Sequence, residues 1–189
     1  MKSEELLNQL FKHTVSDSNY VKENLINLSD DRFFYGHGSK QWSAAEIIQH
    51  LNLTNIFYIK KIKKIFSKNL NGADYHEELF KSGKLGGYFI KMIKPLPDES
   101  MKRKLRAPKK LIPEYSELNK EKVLYEFIEN QNSLVELIKK SKKVNLMKMK
   151  IPSSATRLLK LNLGDTLSII VYHNRRHIIQ IKKVLANSN

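Results

Sequence analysis

The chain of 189 residues contains no cysteine. That excludes disulfides, thiolate zinc sites and a cysteine nucleophile, while leaving the compartment open. No apolar run approaches the roughly 20 residues needed to span a bilayer, so no membrane association is expected. The opening Met1-Lys2-Ser3-Glu4-Glu5 runs into a polar-interrupted stretch without an apolar h-region. A cleaved signal peptide is therefore not indicated, and a cytoplasmic location is the expectation. Acidic residues are outnumbered: 34 Lys and Arg stand against 19 Asp and Glu, a formal charge of +15.

That charge first suggests nucleic acid or another anionic surface. Its make-up argues otherwise, because 28 of the 34 bases are Lys and only 6 are Arg. Base-edge readout and bidentate phosphate clamps favour the planar guanidinium fork. Asn (16) and Ile (18) are abundant as well, so the composition reads as a bias of the source genome rather than selection for a ligand. With 41% hydrophobic residues the chain can bury a core, and its length fits one domain over residues 1–189.

Four segments carry apolar residues at helical spacing. The first runs from Ser3 to Leu28, with Thr14 and Asp17 interrupting its stripe. These two read as a solvent-facing or cleft-facing middle, or as a polar centre. The second begins at a capping box, Ser43-Ala44-Ala45-Glu46, with Trp42 packing just ahead of it, and continues to Lys68. The third spans Asn119 to Lys142, with Gln131 where an aliphatic residue would be expected. The fourth spans Leu163 to Ala186. Between the second and third, residues 69–118 hold Gly72, Gly83, Gly86, Gly87, Pro95, Pro97, Pro108 and Pro113, and are expected to be irregular except for a short helix around Tyr75 to Phe80. Rough alternation over Val144 to Ile151 suggests a short strand. The expected fold is all-α, an antiparallel four-helix bundle with one long connection between its second and third helices.

Chemistry concentrates in the last helix, at His173-Asn174-Arg175-Arg176-His177. Residues four apart share a helix face, and the apolar neighbours Ile170, Ile181 and Leu185 aim this pair at the core. Such a pair can be a packed, hydrogen-bonded core feature or two ligands of a divalent metal. His50, in the core-facing sector of the second helix, adds a third inward imidazole. Three protein ligands leave coordination positions open, the pattern of a catalytic rather than a structural site.

The segment Trp42-Ser43-Ala44-Ala45-Glu46-Ile47-Ile48-Gln49-His50-Leu51 resembles the W-s-x-x-E-i-x-x-H-l segment of the DinB/YfiT-like superfamily. Asp165-Thr166-Leu167, then Tyr172-His173 through His177-Ile178-Ile179-Gln180-Ile181, resembles its closing d-x-l…H-x-x-x-H-x-x-Q-i helix. Arg106-Ala107-Pro108 to Pro113 resembles the connection of one subgroup. The likeness covers nearly the whole chain. It implies a four-helix bundle with a divalent metal on three histidines, here His50, His173 and His177, all of them kept. Zn or Ni is favoured, with Fe or Mn as alternatives. It also implies the activities known in the family, bacillithiol and other thiol S-transfers and mycothiol-dependent isomerisation, with a low-molecular-weight thiol as a second cofactor.

Around these histidines, Gln180 follows one turn on and is read as a hydrogen-bonding partner of a ligand or substrate, or as a cap on the polar layer. Arg176, about 60° from His173 around the helix, is read as reaching the rim to hold an anionic substrate. Gln180 and Arg176 are the candidate catalytic residues. Arg175 points away and is assigned to solvent. Gln131 is a lesser candidate, and Glu46 is foremost the helix cap. His13, His37 and His76 lack spaced partners and read as surface residues. The leading function is a metal-dependent thiol S-transferase or hydrolase acting on a small molecule. Two alternatives stand beside it: a non-enzymatic basic bundle binding nucleic acid or an acidic partner, and a stress-related scavenger of broad range. A homodimer is compatible with such a bundle, though nothing in the sequence specifies its interface.

Overall fold

The computed structural model describes residues 1–36, 42–68, 79–101, 106–115, 118–153 and 159–187. Along the chain run α1 (Ser3–Asn24), the single turn α2 (Asp30–Phe33), α3 (Ala44–Lys68), α4 (Lys84–Ile93), a 3-10 turn at Lys109–Leu111, α5 (Lys120–Ser141), β1 (Lys150–Pro152), β2 (Lys160–Asn162) and α6 (Leu163–Ala186). The protein is mostly helical. Helix α1 packs on α5 and α6, and α3 packs on the same two, so each long helix has two long neighbours. The strands pair antiparallel, with Ile151 opposite Leu161.

The helix starts follow their side chains. Ser43 and Glu46 exchange capping bonds at the head of α3: the Ser43 N–H donates to Glu46 Oε2 (2.8 Å) and the Glu46 N–H to Ser43 Oγ (3.2 Å). Asn119 and Asn162 cap α5 and α6 by accepting from the N–H groups of Lys122 and Asp165.

Three expectations about the elements need correction. Helix α1 stops at Asn24, not Leu28; the chain turns there, and Leu25 and Leu28 pack as part of a loop. The strand is shorter than Val144 to Ile151. Asn145 Oδ1 accepts from the N–H groups of Met147 and Lys148, both at 2.9 Å, and this turn holds residues 146–148 out of the ladder. Helix α4 lies where the glycines had suggested irregular chain. Gly86 is there for close approach, since a Cβ would stand 2.1 Å from Asp165 Oδ2. Asp165 in turn accepts from the Gly83 N–H at 2.9 Å and from the Ser82 hydroxyl, pinning the start of α4 to α6. Of the short helix expected around Tyr75 to Phe80, residues 75–78 lie outside the described residues, as do His37 and His76; Phe80 itself is not helical.

Two apolar clusters fill the interior. One gathers Leu6, Leu7, Leu10, Ile59, Ile62, Leu134, Leu167 and Ile170. The other gathers Val21, Leu25, Ile47, Ile48, Leu51, Phe127, Ile178 and Ile181. Between them every long helix turns polar while staying buried: Thr14, Asp17 and Ser18 on α1, Asn52, Thr54 and Asn55 on α3, Asn130 and Gln131 on α5, Asn174 and Arg176 on α6. The interruptions at Thr14, Asp17 and Gln131 are one belt crossing the molecule, not separate solvent-facing breaks. Its bonds run between helices, from Asn130 Nδ2 to Asn52 Oδ1 (3.3 Å), from Asn174 Nδ2 to Gln131 Oε1 (3.3 Å) and from Arg175 Nη1 to Asp17 Oδ1 (2.9 Å).

Candidate metal centre

At the level of this belt α6 and α3 bring three imidazoles together. The four-residue spacing leaves the His173 and His177 ring centres 4.6 Å apart. From α3, His50 lies 5.2 Å from the first and 5.0 Å from the second. One nitrogen from each ring falls within 4.8 Å of the others. His50 is buried, and the two α6 histidines are partly exposed. The Trp42 ring rests 5.0 Å from that of His50, which ties the residue before the capping box to the site.

Hydrogen bonds fix which nitrogens face inward. His50 Nδ1 stands 2.7 Å from the Leu111 carbonyl. A carbonyl only accepts, so Nδ1 carries the proton and Nε2 presents a lone pair. In the same way His177 Nδ1–H donates to Gln180 Oε1 at 2.9 Å and frees its own Nε2. His50 Nε2 then meets His173 Nε2 at 3.3 Å. His173 Nδ1 is buried with no hydrogen-bond partner among the described residues.

Converging ring-nitrogen lone pairs are costly in a buried place unless a proton or a cation lies between them. The donor set, three neutral imidazoles, suits a divalent ion. Burial pushes the His50 pKa down and that of His173 well down. His177 is pushed down to about 3 by burial and by the charges of His50 and Arg176. At neutral pH the triad is therefore uncharged, the state in which imidazole ligates.

The other candidate residues fall into distinct places. Gln180 orients His177 through the bond just described. Arg176 is buried, at 9% exposure, and its charge lowers the pKa of both α6 histidines. The assignment of Arg175 to solvent is overturned. Its side chain reaches back to the fully buried Asp17 at 2.9 Å and to Glu99 at 3.4 Å, because Asp17 would otherwise be an uncompensated interior charge. Gln131 bonds Asn174. Glu46 acts as the cap, and His13 packs against Tyr172.

The Leu111 carbonyl is a site group that no side-chain pattern announces. It is aimed by a 3-10 turn in which the Leu111 N–H donates to the Pro108 carbonyl at 2.8 Å, and Pro108 was the available signal.

A family model described as the DinB superfamily matches residues 19–181. That span contains all three histidines, Trp42 and Gln180. Searches of curated proteins and of solved structures return no match.

Proposed function

The chain belongs to the DinB superfamily, and we propose that it is a divalent-metal-dependent enzyme whose ion is held by His50, His173 and His177 in an antiparallel four-helix bundle. The convergence of the three ring nitrogens, two with tautomers set by Leu111 and Gln180, carries this reading. Imidazole donors suit Zn, Ni, Fe and Cu alike; Zn or Ni is the ion proposed, with Fe or Mn as alternatives. A divalent ion at this position supplies a Lewis acid that brings the pKa of a coordinated water or thiol toward neutrality.

The chain's own groups do the rest. Leu111 and Gln180 keep the two rings in the ligating tautomer and orientation. Arg176 supplies a fixed positive charge beside the α6 histidines, suited to an anionic substrate group. Trp42 shields one side of His50 from water. With no cysteine in the chain, a sulfur nucleophile has to arrive as a small-molecule thiol. Transfer of such a thiol to an electrophilic small molecule, or hydrolysis by activated water, is the reaction class proposed, in a cytoplasmic setting.

The test is turnover of thiol-plus-electrophile and ester or amide panels by protein loaded with each metal in turn. Activity that requires metal and disappears in His177→Ala supports the reading. Equal activity with and without metal removes it.

A further inference from the structure

Helix α4 is attached to the outside of α6 and is not one of the four long helices. Its inner side is settled: Gly86 abuts Asp165 and Ile93 is buried. Its outer side is unusual for a surface helix. Leu85 and Tyr88 are each 55% exposed, and Leu79, five residues before the helix, is 63% exposed. At 100° per residue, Leu85, Tyr88 and the partly exposed Met92 fall within a sector of about 60°. Lys84 and Lys91 flank that sector on one side, with Lys81 and Lys94 beyond the helix ends. From Leu79 to Pro97 there are four lysines and no acidic residue.

Exposed apolar side chains beside a row of cations mark a surface that expects a partner. We propose that the outer face of α4 docks on an anionic lipid bilayer. The geometry matches what an interfacial helix needs. Leu85, Tyr88 and Met92 can enter the acyl boundary, with the Tyr88 hydroxyl at headgroup level. The stems of Lys81, Lys84 and Lys91 lie along the boundary and put their ammonium groups among the phosphates, while Lys94 sits over the Tyr172 ring of α6 at 4.8 Å. The absence of a spanning run in the sequence bears on crossing a bilayer, not on resting against one. A second copy of this chain fits less well, because a two-fold contact through α4 sets these lysines against themselves. An acidic protein fits less well too. The face is the convex side of one short helix, which gives a partner's side chains little enclosure, and a bilayer needs none.

The test is co-sedimentation of the whole, metal-loaded protein with vesicles of phosphatidylcholine alone or with about a third phosphatidylserine, at low and high salt. Binding is expected only to the anionic vesicles and should weaken with salt. Leu85→Asp with Tyr88→Ser should lower partitioning at least about tenfold. Lys84→Gln and Lys91→Gln should each lower it about fivefold. Lys22→Gln with Lys122→Gln, at the other end of the long helices, should leave it within about twofold. All these positions are exposed, and unchanged circular dichroism and metal content confirm that the variants fold. No binding to anionic vesicles at low salt overturns the proposal. So does binding that survives Leu85→Asp with Tyr88→Ser, since net charge alone then suffices. Binding to soluble polyglutamate, but not to vesicles, that the same variants abolish assigns the face to an acidic protein instead. None of these readouts depends on the identity of the metal or on catalysis.

Discussion

His50 Nε2 lies 3.3 Å from His173 Nε2, while His50 Nδ1 is committed to the Leu111 carbonyl. The two facing nitrogens therefore share at most the one proton that His173 can turn inward, and the third imidazole approaches the same point. A helix pair that wanted only a packed core would place aliphatic groups here, as it does one turn away at Ile47 and Ile170. The relationship between His50 and His173 is the one a ligand set requires and a packed core does not.

If Gln180 acts by orienting His177, Gln180→Leu should weaken metal affinity by about 10- to 100-fold, with folding stability changed by less than about 1 kcal/mol. Gln180→Glu keeps an acceptor for the Nδ1–H and should hold affinity. Competition against a chromophoric chelator measures both. Equal losses in the two variants would mean that the side chain serves packing alone.

Arg175→Met removes the partner of a carboxylate with no solvent exposure, and should cost about 3–5 kcal/mol in denaturant unfolding. Adding Asp17→Leu should recover most of that loss, because the uncompensated charge goes with it. A double variant no more stable than Arg175→Met would show that the pair does not act as a unit.

Gly86→Ala should cost about 1–3 kcal/mol, since its Cβ would stand 2.1 Å from Asp165 Oδ2 and 2.6 Å from Asp165 Cβ. Asp165 is held between Asn162 and the start of α4, so it has little room to give. Thermal unfolding measures the loss, and an unchanged midpoint would mean that α4 can slide along α6.

The pH dependence of the metal-stripped protein has a definite sign. Below the free histidine value of about 6.5 the unfolded chain takes up protons that the folded triad refuses. Stability is therefore fully present above that value and falls as the pH drops from it toward the value of about 3 at His177. Asp17, which burial raises to about 6 against the lowering by Arg175, works the other way between 6 and its ordinary 3.8. Replacing His173 and His177 with Gln should flatten or invert the slope of unfolding midpoint against pH over this window. An unchanged slope would place the titrating groups elsewhere.

The four long helices were legible because amphipathic spacing over five or more turns outweighs any local exception, and the Ser43–Glu46 box marks a start without ambiguity. The histidines were legible because helix geometry alone puts residues 173 and 177 on one face. Helix α4 was hidden: Gly83, Gly86 and Gly87 signal a break unless one knows that Asp165 needs the space at Gly86 and accepts from the Gly83 N–H. Arg175 was misplaced by a wheel that shows direction but not reach, since a long side chain can return to an Asp17 that the same pattern had already flagged. The Leu111 carbonyl was hard to foresee because a backbone group leaves no trace in residue identity beyond the Pro108 that shapes its turn.

The central claim is that His50, His173 and His177 hold one divalent ion, and the most direct measurement is the metal content and affinity of tag-free protein beside His50→Ala. The account predicts close to one divalent ion per chain in the wild type, and affinity lower by at least about a hundredfold in the variant, as loss of a ligand and not of an outer-shell contact should give. A wild type that carries metal on fewer than about a tenth of its chains after exposure to Zn, Ni, Fe and Mn would contradict it. So would a His50→Ala protein that binds as tightly as the parent.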